Sequence, residues 1–282
     1  MLELSNKHVI DSLLAEQNFH FKKSLGQNFL TNPTVCPRMA KAAADKDTGV
    51  IEIGPGIGVL TAELAKRAKQ VIAIELDERL KPILKKTLSD FDNVEILYGD
   101  VLKLNLKKII TERFSECEKI SICANLPYYI TSPVIMHLLE SRLDVDLITV
   151  MVQKEAAERL CAKAPDRLAG AISLAVEYYA ESSTLFSVGR GSFTPAPKVD
   201  SAVIRLKPRD PPDILKEDEK RLFRLIKAAY NYRRKTLINS VSACGIASKQ
   251  TLSEGLKRLG ISENARAEQL SLQDFISLNT LI

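Results

Sequence analysis

From Val50 to Leu60 the chain reads VIEIGPGIGVL, a short apolar run followed by three alternating glycines. Val50–Ile53 has the β-branched composition of a buried strand, and a helical spacing of apolar residues begins at Leu60. Because glycine lacks a Cβ, the loop between them can turn sharply and approach a ligand closely. A strand, a glycine loop and a helix in this order indicate a ligand site at the end of a strand in an α/β protein.

The alternation of strands and helices continues on the C-terminal side of this segment. The predicted strands are Val50–Ile53, Val71–Leu76, Val94–Tyr98, Ile120–Ala124, Asp146–Val152, Ser182–Val188 and Ala202–Leu206. Helical patterns over Leu60–Lys69 and Glu78–Leu88 separate the first three, which predicts a parallel sheet covered by helices on both faces. The last two strands are joined without a helix, so we expect an antiparallel hairpin at one edge.

Prolines at positions 208, 211 and 212 end this pattern and predict a domain boundary. Beyond them the apolar spacing predicts four short helices, over Glu217–Ala229, Lys235–Ser242, Gln250–Leu259 and Leu272–Leu278. We therefore predict an α/β domain with a mostly parallel seven-stranded sheet over residues 1–207. A small, all-helical domain is predicted over residues 208–282.

The composition of the 282 residues, 45% apolar and 27% charged, is that of a globular protein. These values exclude a disordered chain, a collagen-like repeat and a short disulfide scaffold. No apolar run is long enough to cross a bilayer, and the N-terminal segment has acids where a signal peptide has basic residues. The five cysteines and three histidines show no metal-ligand spacing. We expect a cytoplasmic, monomeric protein without a bound metal or a membrane partner.

The net charge of +5 is concentrated near the C-terminus. Residues 206–282 contain 14 basic and 9 acidic side chains, which leaves 26 of each for residues 1–205. Within this part, Lys220–Lys235 holds seven basic residues and no acid, interleaved with Phe223, Tyr230 and Tyr232. A solvated helix face would explain an average charged run. A run of one sign with interleaved aromatic residues favours a nucleic acid as the partner.

The spacing of the three glycines argues against a dinucleotide. A dinucleotide loop has the form G-x-G-x-x-G, whereas here the third glycine is at position 58 and Val59 follows it. Glu75, 21 residues after Gly54, ends the next predicted strand and can accept hydrogen bonds from ribose hydroxyls. Asp100 follows the third strand and can accept from an adenine amine. Parallel strands bring their carboxyl ends to one edge, so the sequence predicts a nucleoside site there.

The string Asn125-Leu126-Pro127-Tyr128 follows the fourth strand and predicts the chemistry. An exocyclic amine on a base is a weak nucleophile because its lone pair is delocalised into the ring. The Asn125 side-chain oxygen and the Leu126 carbonyl can each accept one amine hydrogen and so localise that lone pair. Pro127 fixes the chain path, and Tyr128 can stack on the base. This arrangement predicts methylation of a base amine that has been unstacked from its neighbours.

These motifs together resemble the KsgA family of small-subunit rRNA adenine dimethyltransferases over essentially the whole chain. The strings that carry the resemblance are residues 26–30 (GQNFL), 52–58 (EIGPGIG), 125–128 (NLPY), 193–203 (FTPAPKVDSAV) and 233–237 (RRKTL). The resemblance implies a class I S-adenosylmethionine-dependent methyltransferase with a Rossmann-like sheet. It also implies dimethylation of two adjacent adenosines in a hairpin loop near the 3′ end of 16S rRNA, on the assembling 30S subunit.

The resemblance also implies a set of site residues. Those matching the cofactor site are Asn28, Leu30, Gly54, Gly56, Glu75, Asp100 and Asn125. Those matching the substrate site are Tyr128 and Phe193, as stacking walls for the adenine, and the basic residues Arg233, Arg234 and Lys235, as RNA contacts.

Three alternatives remain open at this point. One is the related methyltransferase of 23S rRNA that confers macrolide resistance, which shares the glycine loop and the Asn-x-Pro-Tyr string. Another is an RNA-binding factor of ribosome assembly that has lost catalysis, against which the complete set of acceptors argues. The third is a nicotinamide-dependent oxidoreductase, which the absence of a glycine at position 59 disfavours.

Overall fold

The computed structural model describes residues 4–17, 19, 28–210, 212 and 214–282. Within these ranges the chain divides into two compact units. The first comprises Met1–Ala157 and Ser183–Pro208, and the second comprises Glu158–Ser182 and Arg209–Ile282. The second unit therefore combines the C-terminal segment with residues 158–182, which the sequence analysis placed in the first domain. The predicted division into domains over residues 1–207 and 208–282 stays a prediction.

In the part of the chain that the structure describes, nine strands form two sheets. The strands are β1 (Phe29–Leu30), β2 (Thr48–Ile53), β3 (Gln70–Glu75), β4 (Val94–Tyr98), β5 (Lys119–Asn125), β6 (Leu147–Gln153), β7 (Ala180–Val188), β8 (Phe193–Thr194) and β9 (Ser201–Pro208). The large sheet has seven strands in the order β4-β3-β2-β5-β6-β9-β7. Its first five strands are parallel, and β9 is antiparallel to β6. The predicted seven-stranded, mostly parallel sheet is confirmed, with β7 and β9 adjacent at one edge.

The central strands are buried on both faces. Every residue of β2 is buried, which explains why its sequence is a continuous apolar run rather than an alternating one. Val50, on β2, and Val71, on β3, share one apolar cluster with Met39 and Leu64, which lie on flanking helices. Burial of this kind on parallel strands fixes their register, so that their carboxyl ends lie together at one edge.

Twelve α-helices complete the described chain. They are α1 (Lys7–Glu16), α2 (Val35–Ala43), α3 (Val59–Ala65), α4 (Lys81–Thr87), α5 (Leu106–Arg113), α6 (Thr131–Glu140), α7 (Lys154–Cys161), α8 (Ala171–Tyr179), α9 (Lys216–Asn231), α10 (Leu237–Ala243), α11 (Lys249–Arg258) and α12 (Leu272–Leu281). The four helices predicted after residue 208 correspond to α9 through α12. No helix among the residues described is both long and apolar enough to cross a membrane.

The core of the second unit is built around α9. Five of its residues, Leu222, Leu225, Ile226, Ala228 and Ala229, are buried. Phe223 on the same helix contacts two aromatic rings of α8. Its ring centroid lies 5.1 Å from that of Tyr178 in an edge-on arrangement and 5.6 Å from that of Tyr179 in a stacked one. This aromatic cluster contributes to the attachment of residues 158–182 to the C-terminal helices.

Candidate active site

A cleft opens at the carboxyl edge of the large sheet, where four adjacent strands end. Gly54 follows β2, Glu75 ends β3, Asp100 follows β4 and Asn125 ends β5, and all four line the cleft. The cleft contains about 1130 Å³ of space that no protein atom occupies. The structure therefore brings together the strand-end residues that the sequence analysis selected.

The glycine loop forms one wall of the cleft. Gly54, Gly56 and Gly58 all have positive φ, at 71°, 60° and 90°, a backbone conformation that favours glycine. A Cβ on Gly54 would have no atom within 4 Å, so this position faces open space. A Cβ on Gly58 would instead lie 3.1 Å from Leu88 and Thr87. The first glycine therefore borders open space, whereas the third is closely packed.

Glu75 is buried beside this loop. Its Oε2 accepts a hydrogen bond from the Gly56 N–H at 3.1 Å, and its Oε1 accepts one from the Asp77 N–H at 2.7 Å. Burial raises the pKa of this carboxyl above its ordinary value. Each oxygen keeps a second lone pair, so the carboxylate can accept hydrogen bonds from two ligand hydroxyls while it holds the loop.

Asp100 lies in the turn after β4, next to Glu75. Its Oδ1 accepts from the Leu102 N–H at 3.0 Å, and its Oδ2 is 3.9 Å from the Lys103 ammonium. The Gly99 N–H donates to the Glu75 carbonyl at 2.9 Å, which fixes the turn against β3. The carboxylate is therefore held at the rim of the cleft with lone pairs still available to a ligand amine.

Asn125 and Leu126 present two free acceptors to the cleft. The Leu126 N–H donates to the Met151 carbonyl on β6 at 3.2 Å. The Asn125 carboxamide and the Leu126 carbonyl make no hydrogen bond to the part of the chain that the structure describes. The Pro127 carbonyl, in contrast, accepts from Ile130 at 3.2 Å and from Thr131 at 3.3 Å. The two acceptors that the chemistry requires are thus the ones left unused.

Tyr128 and Phe193, the two aromatic residues selected from the sequence, both line the cleft. Tyr128 begins a one-turn 3₁₀ helix, and its hydroxyl lies 2.9 Å from the Ser201 Oγ. Phe193, 5% exposed, lies on β8 and pairs across the two-stranded sheet with Leu30 on β1. That small sheet also explains how Asn28 and Leu30 reach the cleft, which they both line. Gly26 and Gln27 of the predicted motif lie outside the described residues.

Glu52 is a residue whose separate role the sequence analysis missed. It lines the cleft, is 1% exposed, and its Oε2 has no hydrogen-bond partner within the described ranges. Burial raises the pKa of this carboxyl from 4.5 to about 8. The signal was present as the acid two residues before Gly54. Leu76 and Tyr129 were also missed, and both line the cleft with more than half of their surface exposed.

The three basic residues selected from the sequence belong to the second unit and do not line the cleft. Arg233 donates to the Arg167 carbonyl at 2.7 Å and lies 3.7 Å from the Glu268 carboxylate. The Lys235 ammonium lies 4.5 Å from the centre of the Tyr232 ring. Arg234 is exposed and has no hydrogen bond or ion pair with any residue of the described chain. The three cations are therefore not equivalent.

The fold and the cleft define a class of protein. The chain is similar to the crystal structure of a dimethyladenosine transferase from Plasmodium falciparum, with a TM-score of 0.72 and 29% identity over 89% of this chain and 95% of that one. It is also similar to the crystal structure of the 23S rRNA methyltransferase ErmE, with a TM-score of 0.66 and 25% identity over 90% and 98% of the two chains. The predicted class I methyltransferase fold is confirmed.

Sequence comparison narrows the class to a family. The model of the family "Ribosomal RNA adenine dimethylase" matches residues 18–282. The chain is 46% identical over 274 residues to ribosomal RNA small subunit methyltransferase A of Geobacillus thermodenitrificans, a match that covers 96% of this chain and 94% of that protein. The protein of the same name from Bacillus pumilus is 45% identical over the same shares. The chain belongs to the ribosomal RNA adenine dimethylase family, which confirms the family predicted from its motifs.

Membership of this family implies S-adenosylmethionine as the methyl donor, and the cleft fits that molecule. The Glu75 carboxylate suits ribose hydroxyls, and the open space at Gly54 suits close approach of a ligand. The Asp100 carboxylate keeps lone pairs that suit an adenine amine. These three features are independent of the family match.

Proposed function

We propose that this enzyme transfers methyl groups from S-adenosylmethionine to the N6 amines of two adjacent adenosines of 16S rRNA. Each adenosine receives two methyl groups, and the pair lies in a hairpin loop near the 3′ end of the RNA. The observation that carries the proposal is the pair of unused acceptors, the Asn125 carboxamide and the Leu126 carbonyl, in a cleft that also holds Glu75.

The side chains of the cleft account for the chemistry. S-adenosylmethionine, when bound, supplies a methyl group that is already activated as a sulfonium. The Asn125 oxygen and the Leu126 carbonyl accept the two amine hydrogens, which keeps the nitrogen lone pair out of conjugation with the ring. Tyr128 and Phe193 stack on the base and hold it in place, each contact contributing about 1–3 kcal/mol. The nitrogen releases one proton to solvent for each methyl group that it gains, and catalysis depends on positioning and electrostatics rather than on a general base.

The small-subunit RNA is favoured over the large-subunit RNA by the relatives. The proteins named ribosomal RNA small subunit methyltransferase A are 43–46% identical to this chain, whereas the 23S rRNA methyltransferase ErmE is 25% identical. We assign the assembling 30S subunit as the substrate and the cytoplasm as the place of action. We also propose that the protein acts as a monomer.

In this proposal the exposed cations of the second unit bind the RNA. Arg234 offers a guanidinium without a protein partner among the residues described, as a phosphate contact requires. Lys235 is exposed above Tyr232, whose ring can stack on a base. Arg233 contributes less, because its guanidinium already binds a carbonyl and faces a carboxylate.

The proposal is tested with small ribosomal subunits purified from cells that lack this protein. The wild-type enzyme and labelled S-adenosylmethionine should yield dimethyladenosine at two adjacent positions of 16S rRNA, mapped by mass spectrometry of RNA fragments. Asn125→Ala should abolish the transfer while subunit binding is kept. Asn105→Ala, which removes the N-terminal cap of α5 at the surface, serves as the control and should keep full activity.

Label found in 23S rRNA alone would show that the enzyme is of the macrolide-resistance type. Full dimethylation by Asn125→Ala would show that the two acceptors do not activate the amine. Subunit binding without any methyl transfer by the wild-type protein would favour a non-catalytic assembly factor.

A further inference from the structure

Two consecutive polar residues hold the two aromatic walls of the cleft. The Ser201 Oγ lies 2.9 Å from the Tyr128 hydroxyl. The preceding residue, Asp200, accepts a hydrogen bond from the Arg190 N–H at 2.9 Å through its Oδ1. Arg190 begins the one-turn helix that leads directly into Phe193. Ser201 therefore contacts Tyr128 directly, and Asp200 anchors the segment that leads into Phe193.

Strand β6 links this string to the acceptors of the cleft. On one side of β6, Met151 lies opposite Asn125, and its carbonyl accepts from the Leu126 N–H. On the other side, Gln153 lies opposite Ser201. Ser201 is thus fixed by backbone pairing to the same strand that fixes Asn125. A hydrogen bond from Ser201 to Tyr128 transmits this fixed geometry to the tyrosine ring.

The burial of Ser201 shows that this contact is structurally defined. The residue is 0% exposed, so water cannot replace the tyrosine as the hydrogen-bond partner of its hydroxyl. Burial also raises the pKa of Tyr128, which keeps its hydroxyl protonated and able to donate or accept. The ring of Tyr128 is therefore held by a hydrogen bond at its far end as well as by its backbone.

We propose that Ser201 is a positioning residue that sets the orientation of the Tyr128 ring beside Asn125, and that Asp200 does the same for the turn that carries Phe193. The inference rests on the proposed function, because it takes these two rings to be the walls that hold the target base. Ser201 touches neither substrate nor cofactor in this scheme and acts through Tyr128.

The hydroxyl pair is tested by a double-mutant cycle on kcat for methylation of unmethylated small subunits. Ser201→Ala and Tyr128→Phe each remove one partner and keep the ring. Each should lower kcat about threefold to tenfold, the range expected for one hydrogen bond. The double variant should fall no further than either single one. KM for the subunit should stay constant, because we assign binding of the RNA to the exposed cations of the second unit, and Ser201→Thr should restore kcat.

A matched control separates positioning from general stability. Ser121, 2% exposed on β5, has a buried hydroxyl with no hydrogen-bond partner in the described chain. Ser121→Ala removes the same group from the same sheet and should leave kcat unchanged. Thermal unfolding and the affinity for S-adenosylmethionine of every variant show that each is folded.

Wild-type kcat in Ser201→Ala, additive losses in the double variant, or an equal loss in Ser121→Ala would each overturn the inference. Tyr128→Ala and the wild-type enzyme together distinguish failure of the positioning role from failure of the proposed function. If this variant is inactive while Ser201→Ala resembles the wild type, only the positioning role fails. If Tyr128→Ala keeps full activity, the base does not stack on Tyr128 and the inference loses its basis. The proposed function itself fails only if the wild-type enzyme transfers no methyl group to 16S rRNA.

Discussion

Gly54 provides the most closely controlled test of the cleft, because the second unit contains a glycine with nearly the same φ and with similar open space around it. Gly54 has φ of 71° and Gly260 has φ of 69°, and a Cβ built on either has no atom within 4 Å. An alanine at either position is strained by its positive φ, at a cost of about 1–2 kcal/mol. Only at Gly54 does the added methyl group occupy the cleft that we assign to S-adenosylmethionine.

The two alanine variants should consequently separate stability from binding. Urea unfolding should show similar losses for Gly54→Ala and Gly260→Ala, because neither methyl group meets another atom. Isothermal titration with S-adenosylmethionine should show at least about a tenfold loss of affinity for Gly54→Ala, equivalent to about 1.4 kcal/mol, and none for Gly260→Ala.

Unchanged affinity in Gly54→Ala would refute the assignment of the glycine loop to the ligand. Equal losses of affinity in both variants would show that strain alone, acting through the whole chain, explains the effect. The comparison with Gly260 is needed because a lower affinity in Gly54→Ala by itself would not exclude partial unfolding.

Three further predictions follow from the same site and surface. The pKa of Glu52 is about 8 in the folded chain and 4.5 ordinarily, so the folded state holds one more proton than the unfolded state between these pH values. The free energy of unfolding should therefore fall by about 1.4 kcal/mol for each unit by which the pH rises through this window. Glu52→Gln should remove this slope in urea unfolding across pH, and an unchanged slope would contradict the burial argument. Glu75→Gln places an amide N–H₂ against a backbone N–H and should lower the affinity for S-adenosylmethionine about tenfold to a hundredfold. Calorimetric titration measures this affinity, and a wild-type value would contradict the prediction. Arg234→Ala should reduce the salt dependence of RNA binding by about one counterion, whereas Arg233→Ala should mainly reduce stability; reversed effects would show that the protein contacts of Arg233 are not retained on RNA.

The large sheet could be predicted from the sequence because its central strands are buried on both faces. Such strands appear as uninterrupted β-branched runs, and the observed strands differ from the predicted ones by no more than two residues at either end. The strand-end residues Glu75, Asp100 and Asn125 followed from the rule that parallel strands end at one edge. Their local hydrogen bonds did not, because these depend on turns whose geometry the sequence leaves open.

The small sheet of β1 and β8 could not be predicted in this way. Each strand has two residues, which is too few to show a period of two, and the pairing joins Leu30 to Phe193 across most of the chain. The contact between Ser201 and Tyr128 is likewise nonlocal. The grouping of residues 158–182 with the C-terminal helices was also missed, because it depends on the rings of Tyr178 and Phe223 meeting in space.

The path of the backbone between the two units limits where the protein can be truncated. The chain passes from one unit to the other after Ala157, after Ser182 and after Pro208. A stop codon at position 209 would therefore delete α9 but leave α8 in place, and Tyr178, 0% exposed, would lose the Phe223 ring that it packs against. Such a fragment would expose an apolar surface that promotes aggregation, and it would not be an isolated catalytic domain. Point substitutions, and not truncations, are the means to separate methyl transfer from RNA binding in this protein.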